Sequence, residues 1–141
     1  MTAEQTDDGL VDALVQTAFA TMAVLNRVGA EHDLSLTQLR VLAILRDRQV
    51  RMTALADFLG LEKSTMTGLV DRAEKRGLLT RSPSEGDRRA VDVTLSPAGA
   101  ELAERLAAQV ARVLAPRTAR LSPADQGRLQ SMLARLLTPA T

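Results

Sequence analysis

Between residues 62 and 89, hydroxyl and cationic side chains recur with the chemistry and spacing of groups that contact DNA. Serine and threonine hydroxyls bond base edges or phosphate oxygens, while lysine and arginine neutralise phosphates. We predict DNA contacts from a helix and from a loop that follows it. The helix set is Lys63, Ser64, Thr65, Thr67, Gly68, Arg72 and Lys75, and the loop set is Asp87, Arg88 and Arg89. The alternatives are helix capping and solvation for the hydroxyls and a solvated charged turn for the loop.

A helix-turn-helix would position the first set. The pattern predicts helices over residues 53–59 and 62–76, joined by a turn at Gly60 and Leu61 and stopped at Gly77. A small residue suits the contact between the helices, and a glycine suits the turn. Ala56 is the small residue at the contact, and the apolar seam consists of Leu55, Leu59, Leu61, Met66 and Leu69. A second helix mounted in this way can enter the major groove.

The second helix is predicted to be amphipathic, with a polar outer face. Its buried face comprises Met66, Leu69, Val70 and Ala73, and its outer face Ser64, Thr67, Gly68, Asp71 and Lys75. A glycine inside a helix costs about 0.5–1 kcal/mol relative to alanine, so Gly68 suggests close approach of DNA, or neutral drift. For Asp71 we favour an ion pair with Lys75, one turn later, over acceptance from a cytosine amino group.

A two-stranded hairpin is predicted after the second helix. Strands are expected over residues 78–81 and 90–95, with Val91, Val93 and Leu95 alternating against polar neighbours. Residues 82–89 form the loop between them, marked by a proline, a glycine and two arginines. Such a wing can lay a guanidinium in a narrow minor groove.

The combination of these segments resembles the MarR family of bacterial transcription regulators over roughly residues 8 to 138. The resemblance is carried by residues 64–67, 69–72, 74–81, 87–89 and 93–99, the last being Val-Thr-Leu-Ser-Pro-Ala-Gly. It implies that Arg89 reaches the minor groove and that Asp87 helps to hold the wing tip, with Arg88 at a phosphate. Two departures are Gly68, where the family often carries a larger polar residue, and the lack of the cysteine used by its peroxide-sensing branch.

The resemblance also implies a mainly α fold with a small β-hairpin wing (α+β), a winged helix-turn-helix flanked by dimerisation helices. We predict a disordered tail over residues 1–7, a helical dimerisation region over 8–34 and 96–138, and a DNA-binding lobe over 35–95. Apolar stripes on the flanking helices need a partner, which a second chain can supply. The alternative is a monomeric bundle that folds these helices onto its own core.

Composition favours a single soluble cytoplasmic domain. The 141 residues are 45% hydrophobic, with two phenylalanines as the only aromatic residues and no cysteine. No run of 18 apolar residues and no basic leader are present, so we expect no membrane span and no secretion. Residues 1–34 carry six acids and one base, whereas residues 62–89 carry seven bases and five acids. We expect the second segment to face DNA.

Small molecules are the second predicted class of partner. In the family, effectors occupy a crevice between the dimer helices and the winged lobe. Its predicted lining here is Phe19, Met22, Leu25, Asn26, His32, Leu39, Val41 and Arg46. Such a lining suits a small aromatic anion or a lipophilic compound, although these residues could equally be ordinary core. For His32 the simpler role is at the C-terminus of the first helix, and the alternative is ligand contact or pH sensing.

Catalysis, metals and cofactors are not expected. One histidine and no cysteine leave too few metal ligands, and the glycines form no phosphate-binding loop. The prediction is therefore a homodimeric regulator, a repressor of a pseudo-palindromic operator released by a small ligand. The alternatives are a constitutive or architectural DNA-binding protein and a protein-interaction module that reuses the winged helix.

Overall fold

The computed structural model describes residues 3–139, and the side chains of residues 8–139. Helices and strands alternate around one small sheet. The helices are α1 (Ala3–Ala30), α2 (Leu36–Leu45), α3 (Met52–Leu59), α4 (Lys63–Lys75), α5 (Pro97–Thr118) and α6 (Pro123–Leu137). The strands are β1 (Val50–Arg51), β2 (Leu79–Ser84) and β3 (Asp87–Leu95). This mainly helical chain with a small antiparallel sheet confirms the predicted fold class.

The N-terminal boundary differs from the prediction. Helix α1 begins at Ala3, whereas the sequence analysis assigned residues 1–7 to a disordered tail. Ala3, Glu4 and Gln5 are good helix formers and continue α1 without a break. Met1 and Thr2 lie outside the described residues, so the prediction for them is untouched.

The sheet has three antiparallel strands in the order β1-β3-β2. The sequence analysis missed β1, whose Val50 pairs with Val93 of β3. The predicted eight-residue loop is also wrong, because β2 and β3 extend until only Glu85 and Gly86 remain as the turn. Gly86 has φ +81°, which suits glycine. Pro83 belongs to β2, an edge strand, where a missing N–H is tolerated.

The hydrophobic core lies where α2, α3 and α4 meet the sheet. Leu55, Met66, Val70 and Val93 are each 0% exposed. Helix α1 contributes its C-terminal part to this core, and α5 contributes its N-terminal part; the residues are Val24, Val28, Leu102, Ala103 and Leu106. The core therefore ties one end of each flanking helix to the DNA-binding lobe and leaves the other ends outside it.

The remaining faces of α1 and α6 are apolar and exposed. Helix α6 has no buried residue. We call this set the open apolar face; it comprises Leu10, Val11, Leu14, Val15 and Phe19 of α1 and Leu129, Met132, Leu133, Leu136 and Leu137 of α6. The monomeric alternative, in which these helices fold onto the core, disagrees with this exposure.

Residues Asp8–Ala30 of α1 are long and apolar enough to cross a membrane, with a mean hydropathy of 1.3 over the best window. The sequence analysis expected no such segment. Length and composition are weak grounds for a membrane span, since helices of soluble proteins pass the same test. Val24 and Val28 near the end of this segment are buried in the protein core.

Candidate nucleic-acid interface

Local backbone signals set the relation between α3 and α4. Gly60 ends α3 in the left-handed conformation with φ +66°, and its N–H donates to carbonyl oxygens of Ala56 and Asp57. Leu61 donates to Ala56 at 3.0 Å. Helix α4 then begins after Glu62 and ends before Gly77, which has φ +75°. The predicted turn and the predicted ends of the second helix therefore match the structure to within a residue.

The faces of α4 follow the predicted pattern. The buried residues are Met66, Leu69, Val70 and Ala73. Outside, Lys63, Ser64 and Thr65 are exposed, and Thr67 and Gly68 are half-exposed. The N-cap is Glu62 and no side chain caps the helix, so the hydroxyls do not act as its cap, while the alternative of solvation stays open for these exposed groups. Thr67 donates to the carbonyl oxygen of Lys63 at 2.9 Å, and its oxygen still has lone pairs to accept a further hydrogen bond.

Asp71 is paired, but with a different partner from the predicted Lys75. Its Oδ1 lies 2.7 Å from Nη1 of Arg81 on β2. Arg81 also binds Glu74, with Nη2 3.0 Å from Oε1, and this hydrogen bond lowers the pKa of the Glu74 carboxyl. The prediction was wrong because β2 brings a guanidinium beside α4, and its fork can engage two carboxylates at once. Arg81 thereby joins the wing to α4.

The glycine inside α4 lies beneath an arginine side chain. A Cβ built on Gly68 would lie 3.5 Å from Nη1 of Arg72, the one heavy atom found near that position. Arg72 is exposed. Its side chain therefore lies back over the preceding turn, along the outer face.

At the wing, Asp87, Arg88 and Arg89 are all exposed. The Oδ1 atom of Asp87 accepts a hydrogen bond from the backbone N–H of Arg89 at 3.0 Å. This bond ties the carboxylate to the backbone beside the turn, and the Arg89 side chain stays exposed. The geometry agrees with the expected role of Asp87 at the wing tip.

The base of the wing contains a buried carboxylate that the sequence analysis missed. Asp92 is 8% exposed. It accepts hydrogen bonds from Ser84 Oγ and Gln49 Nε2, each at 2.5 Å. The alternation of β3 had placed Asp92 on a polar face, but the segment around β1 covers it. No local pattern links residues 49, 84 and 92, so their association depends on strand pairing.

Ser96 and Gly99 join the wing to α5. Ser96 caps α5, since its Oγ accepts from the Gly99 N–H at 3.0 Å. The same Oγ donates to the Gly77 carbonyl oxygen at 2.5 Å, and the Ser96 N–H donates to Leu78 at 3.0 Å. A Cβ on Gly99 would lie only 2.0 Å from the Leu78 oxygen. The Ser-x-x-Gly spacing therefore lets α5 start directly against the end of α4.

A separate cavity of about 610 Å³ lies between α1, α2 and α5. Of the eight predicted lining residues, the structure places Met22, Leu25, Leu39 and Arg46 there. The lining that the sequence analysis missed is Leu36, Arg40, Leu42, Ala43, Asp47, Ala103, Leu106, Ala107, Val110 and Ala111. Half of this set comes from α5, where one apolar stripe gives no sign of which residues face the core and which face the cavity.

The other four predicted lining residues lie elsewhere. Phe19 belongs to the open apolar face, and Asn26 is exposed. Val41 is 1% exposed in the core. The His32 ring lies 3.0 Å from Oε1 of Gln109 on α5, beyond the end of α1 at Ala30. Helical periodicity indicates on which side of its helix a residue lies, but it does not indicate which neighbouring element packs against that side.

Arg46 is the cationic residue held most firmly at the cavity. Its Nε and Nη2 donate to the two carboxylate oxygens of Glu104 on α5, at 2.7 and 3.0 Å. This pair lowers the pKa of Glu104 and links α2 to α5. Among the residues that the structure describes, no cluster of three potential metal ligands is found.

The helix-turn-helix and the turn of the wing, which has two residues, both lie in a segment that matches a known protein family. The family model described as "MarR family" matches residues 32–90, which include α2, the helix-turn-helix and the wing tip. The chain belongs to the MarR family.

Two curated relatives of this MarR-family protein are named as transcriptional regulators. The regulator PecS of Dickeya dadantii (strain 3937) is 31% identical over 101 residues, covering 69% of this chain and 61% of PecS. The uncharacterised regulator YfiV of Bacillus subtilis (strain 168) is 42% identical over 65 residues, covering 45% of this chain and 41% of YfiV. The matches thus span about two fifths to three fifths of these relatives. They name regulators rather than enzymes, in agreement with the prediction.

Solved structures show the same fold. NadR in complex with 4-hydroxyphenylacetate has a TM-score of 0.77 at 24% identity, covering 88% of this chain and 89% of NadR. A mutant MarR from E. coli complexed with operator DNA has a TM-score of 0.73 at 22% identity, covering 98% of this chain and all of that one. These likenesses show that the chain shares the fold of these two proteins.

Proposed function

We propose that this MarR-family protein is a homodimeric bacterial repressor that acts in the cytoplasm on a pseudo-palindromic operator. Helix α4 enters the major groove and Arg89 enters the minor groove. The observation that carries the proposal is that no member of the predicted contact set on α4 and the wing is buried: Thr67 and Gly68 are half-exposed and the others are exposed. Asp71, the acid on the outer face of α4, is held by Arg81 at 2.7 Å, which reduces its repulsion of phosphate.

A second chain is the partner that fits the open apolar face. Two helices expose ten large apolar residues there, and monomeric proteins rarely leave large apolar surfaces in water. A two-fold dimer presents two copies of α4 to successive major grooves, so half-site centres about 10 base pairs apart are expected.

The operator test is selection of bound duplexes from a random pool, combined with light scattering of the free protein. The proposal predicts an inverted repeat and a dimer at micromolar concentration. Selected sequences without a dyad, or a monomer by scattering, would refute the two-fold arrangement. Selection of no sequence above background would refute operator recognition.

For the effector, the cavity between α1, α2 and α5 is the proposed site. Its lining is mainly apolar, with Arg40, Arg46 and Asp47 as charged groups. This suits a small aromatic acid or a lipophilic compound, and 4-hydroxyphenylacetate, which the NadR complex contains, is a reasonable first probe. A ligand would release DNA if it binds more tightly to a dimer conformation in which the distance between the two α4 helices no longer matches the spacing of successive major grooves.

A thermal-shift screen of aromatic acids and phenols, followed by operator binding, tests both steps. Ligand at 100 times its Kd should stabilise the protein by about 2.7 kcal/mol. Ala107→Phe fills the cavity and should abolish the shift, whereas Ala108→Phe, the next residue and outside the lining, should retain it. Compounds that stabilise the protein but leave DNA affinity unchanged would reject release, and an absence of hits would favour a constitutive DNA-binding protein.

A further inference from the structure

Gly68 forms a notch on the outer face of α4, and the Arg72 guanidinium lies over it. The Nη1 atom is 3.5 Å from where a Cβ of residue 68 would be. Helical side chains lean toward the N-terminus, so residue 72 naturally covers residue 68. A very small residue at 68 leaves the guanidinium this position along the helix face, whereas a branched or long side chain there would occupy the same volume.

The neighbouring carboxylates leave this guanidinium available. Asp71 and Glu74 flank Arg72 in the sequence, and both are engaged by Arg81, at 2.7 and 3.0 Å. Among the residues that the structure describes, no carboxylate forms a salt bridge with Arg72. All five N–H donors of the guanidinium can therefore serve a ligand that approaches the exposed face of α4.

We propose that Arg72 is a specificity-determining residue that reads a guanine in the major groove, and that Gly68 provides the space for it. The inference rests on the proposed DNA-binding role of α4. The guanidinium fork matches the O6 and N7 acceptors of guanine, which only the major groove presents together. A phosphate contact would use the same charge, but it would not need the glycine, because a flexible arginine reaches a phosphate from many positions.

The test compares the selected operator with duplexes in which each base pair of a half-site is replaced in turn. For the wild type, replacing one particular G·C pair should reduce affinity because the contact between Arg72 and the guanine is lost. Arg72→Ala should lose discrimination at that pair, by about 5- to 150-fold, and keep the preferences at the other pairs. Arg72→Lys should lose the same discrimination while keeping the salt dependence, because it retains the charge but not the fork.

Substitutions at residue 68 test the notch independently. Gly68→Leu should reproduce the loss seen in Arg72→Ala, and combining the two should add nothing at that base pair. Gly68→Ala should retain discrimination, since its Cβ makes only an ordinary contact at 3.5 Å. Lys75→Ala, on the same helix, serves as the control and should weaken all duplexes by a similar factor.

The outcomes separate this inference from the proposed function. If Arg72→Ala weakens every duplex equally, Arg72 is a phosphate contact and the inference fails while DNA binding stands. If Gly68→Leu leaves discrimination intact, the role of the notch is overturned. If the wild type prefers no duplex at all, the proposed function fails. Circular dichroism and light scattering identify any variant that does not fold, and Arg72→Lys, which keeps the chain's charge, then carries the test.

Discussion

Replacing Gly99 by alanine should destabilise the protein although it adds a single methyl group. Gly99 lies in the first turn of α5, which starts directly against the backbone of Leu78. The added Cβ would lie 2.0 Å from the Leu78 carbonyl oxygen and 2.9 Å from its carbonyl carbon. Because the obstacle is backbone rather than a flexible side chain, α5 must move away from the end of α4.

The magnitude follows from what that movement breaks. Two hydrogen bonds hold the junction, from the Ser96 N–H to Leu78 and from Ser96 Oγ to Gly77. Each contributes about 1 kcal/mol to stability. Overpacking strain adds about 1–3 kcal/mol, and the better helix propensity of alanine returns up to about 1 kcal/mol. The expected loss is therefore about 2–5 kcal/mol, a large part of the 5–15 kcal/mol typical of a whole protein.

Urea unfolding at fixed protein concentration measures this loss. Gly127→Ala is the matched control, since nothing lies within 4 Å of its Cβ position on α6. That control should gain about 0.5–1 kcal/mol. Gly99→Ala should also weaken operator binding, because the junction fixes the dimer helix α5 relative to the wing. If its unfolding free energy stays within about 0.5 kcal/mol of wild type, the reasoning on this junction is refuted.

Three further predictions concern the wing, the dimer and acid stability. Arg89→Ala should weaken DNA binding by on the order of 1–3 kcal/mol, with the largest loss on duplexes with A·T-rich flanks. Arg88→Ala should weaken binding to all duplexes alike and reduce the salt slope by about one. If fluorescence-anisotropy titrations give the two variants the same loss on every duplex, the assignment of Arg89 to the minor groove is contradicted. Leu133→Glu on α6 should give a monomer by light scattering and lose operator affinity, while Gly127→Glu on the opposite side should remain dimeric. Folding lowers the pKa of Glu74 and Glu104 from the ordinary value of 4.5 through their arginine partners. Their contribution to stability is therefore present above pH 4.5 and lost as the pH falls below it. The urea concentration at the unfolding midpoint should therefore fall as the pH is lowered below 4.5, and it should fall less steeply for Glu74→Gln. A midpoint that rises on acidification would contradict this.

Local patterns made α4 and its turn predictable. The burial period of Met66, Leu69 and Val70 and the stops at Gly60 and Gly77 depend only on neighbouring residues. Helix propensity and glycine dihedrals therefore located the helix to within a residue. The same type of information predicted which side of α4 faces solvent, and so which of its residues are candidates for DNA contact.

Pairing between distant segments was not predictable in this way. The partner of Asp71 is Arg81 rather than Lys75, because β2 runs beside α4. The two-residue strand β1 exists only through β3, and it determines the burial of Asp92. In the cavity, both the core side and the cavity side of α5 are apolar, so the sequence could not divide them. Each of these features depends on which elements lie next to each other.

Directed DNA cleavage tests most directly whether two copies of α4 and the wing lie on one operator. The chain has no cysteine, so a cleavage reagent can be attached at a single position, Glu85→Cys on the wing turn or Glu62→Cys before α4. Both positions are exposed and outside the proposed contact set. We expect two clusters of cuts from each variant, related by the operator dyad, with the wing cuts in the minor groove and the α4 cuts in the major groove. A single cluster, or wing cuts in the major groove, would contradict it.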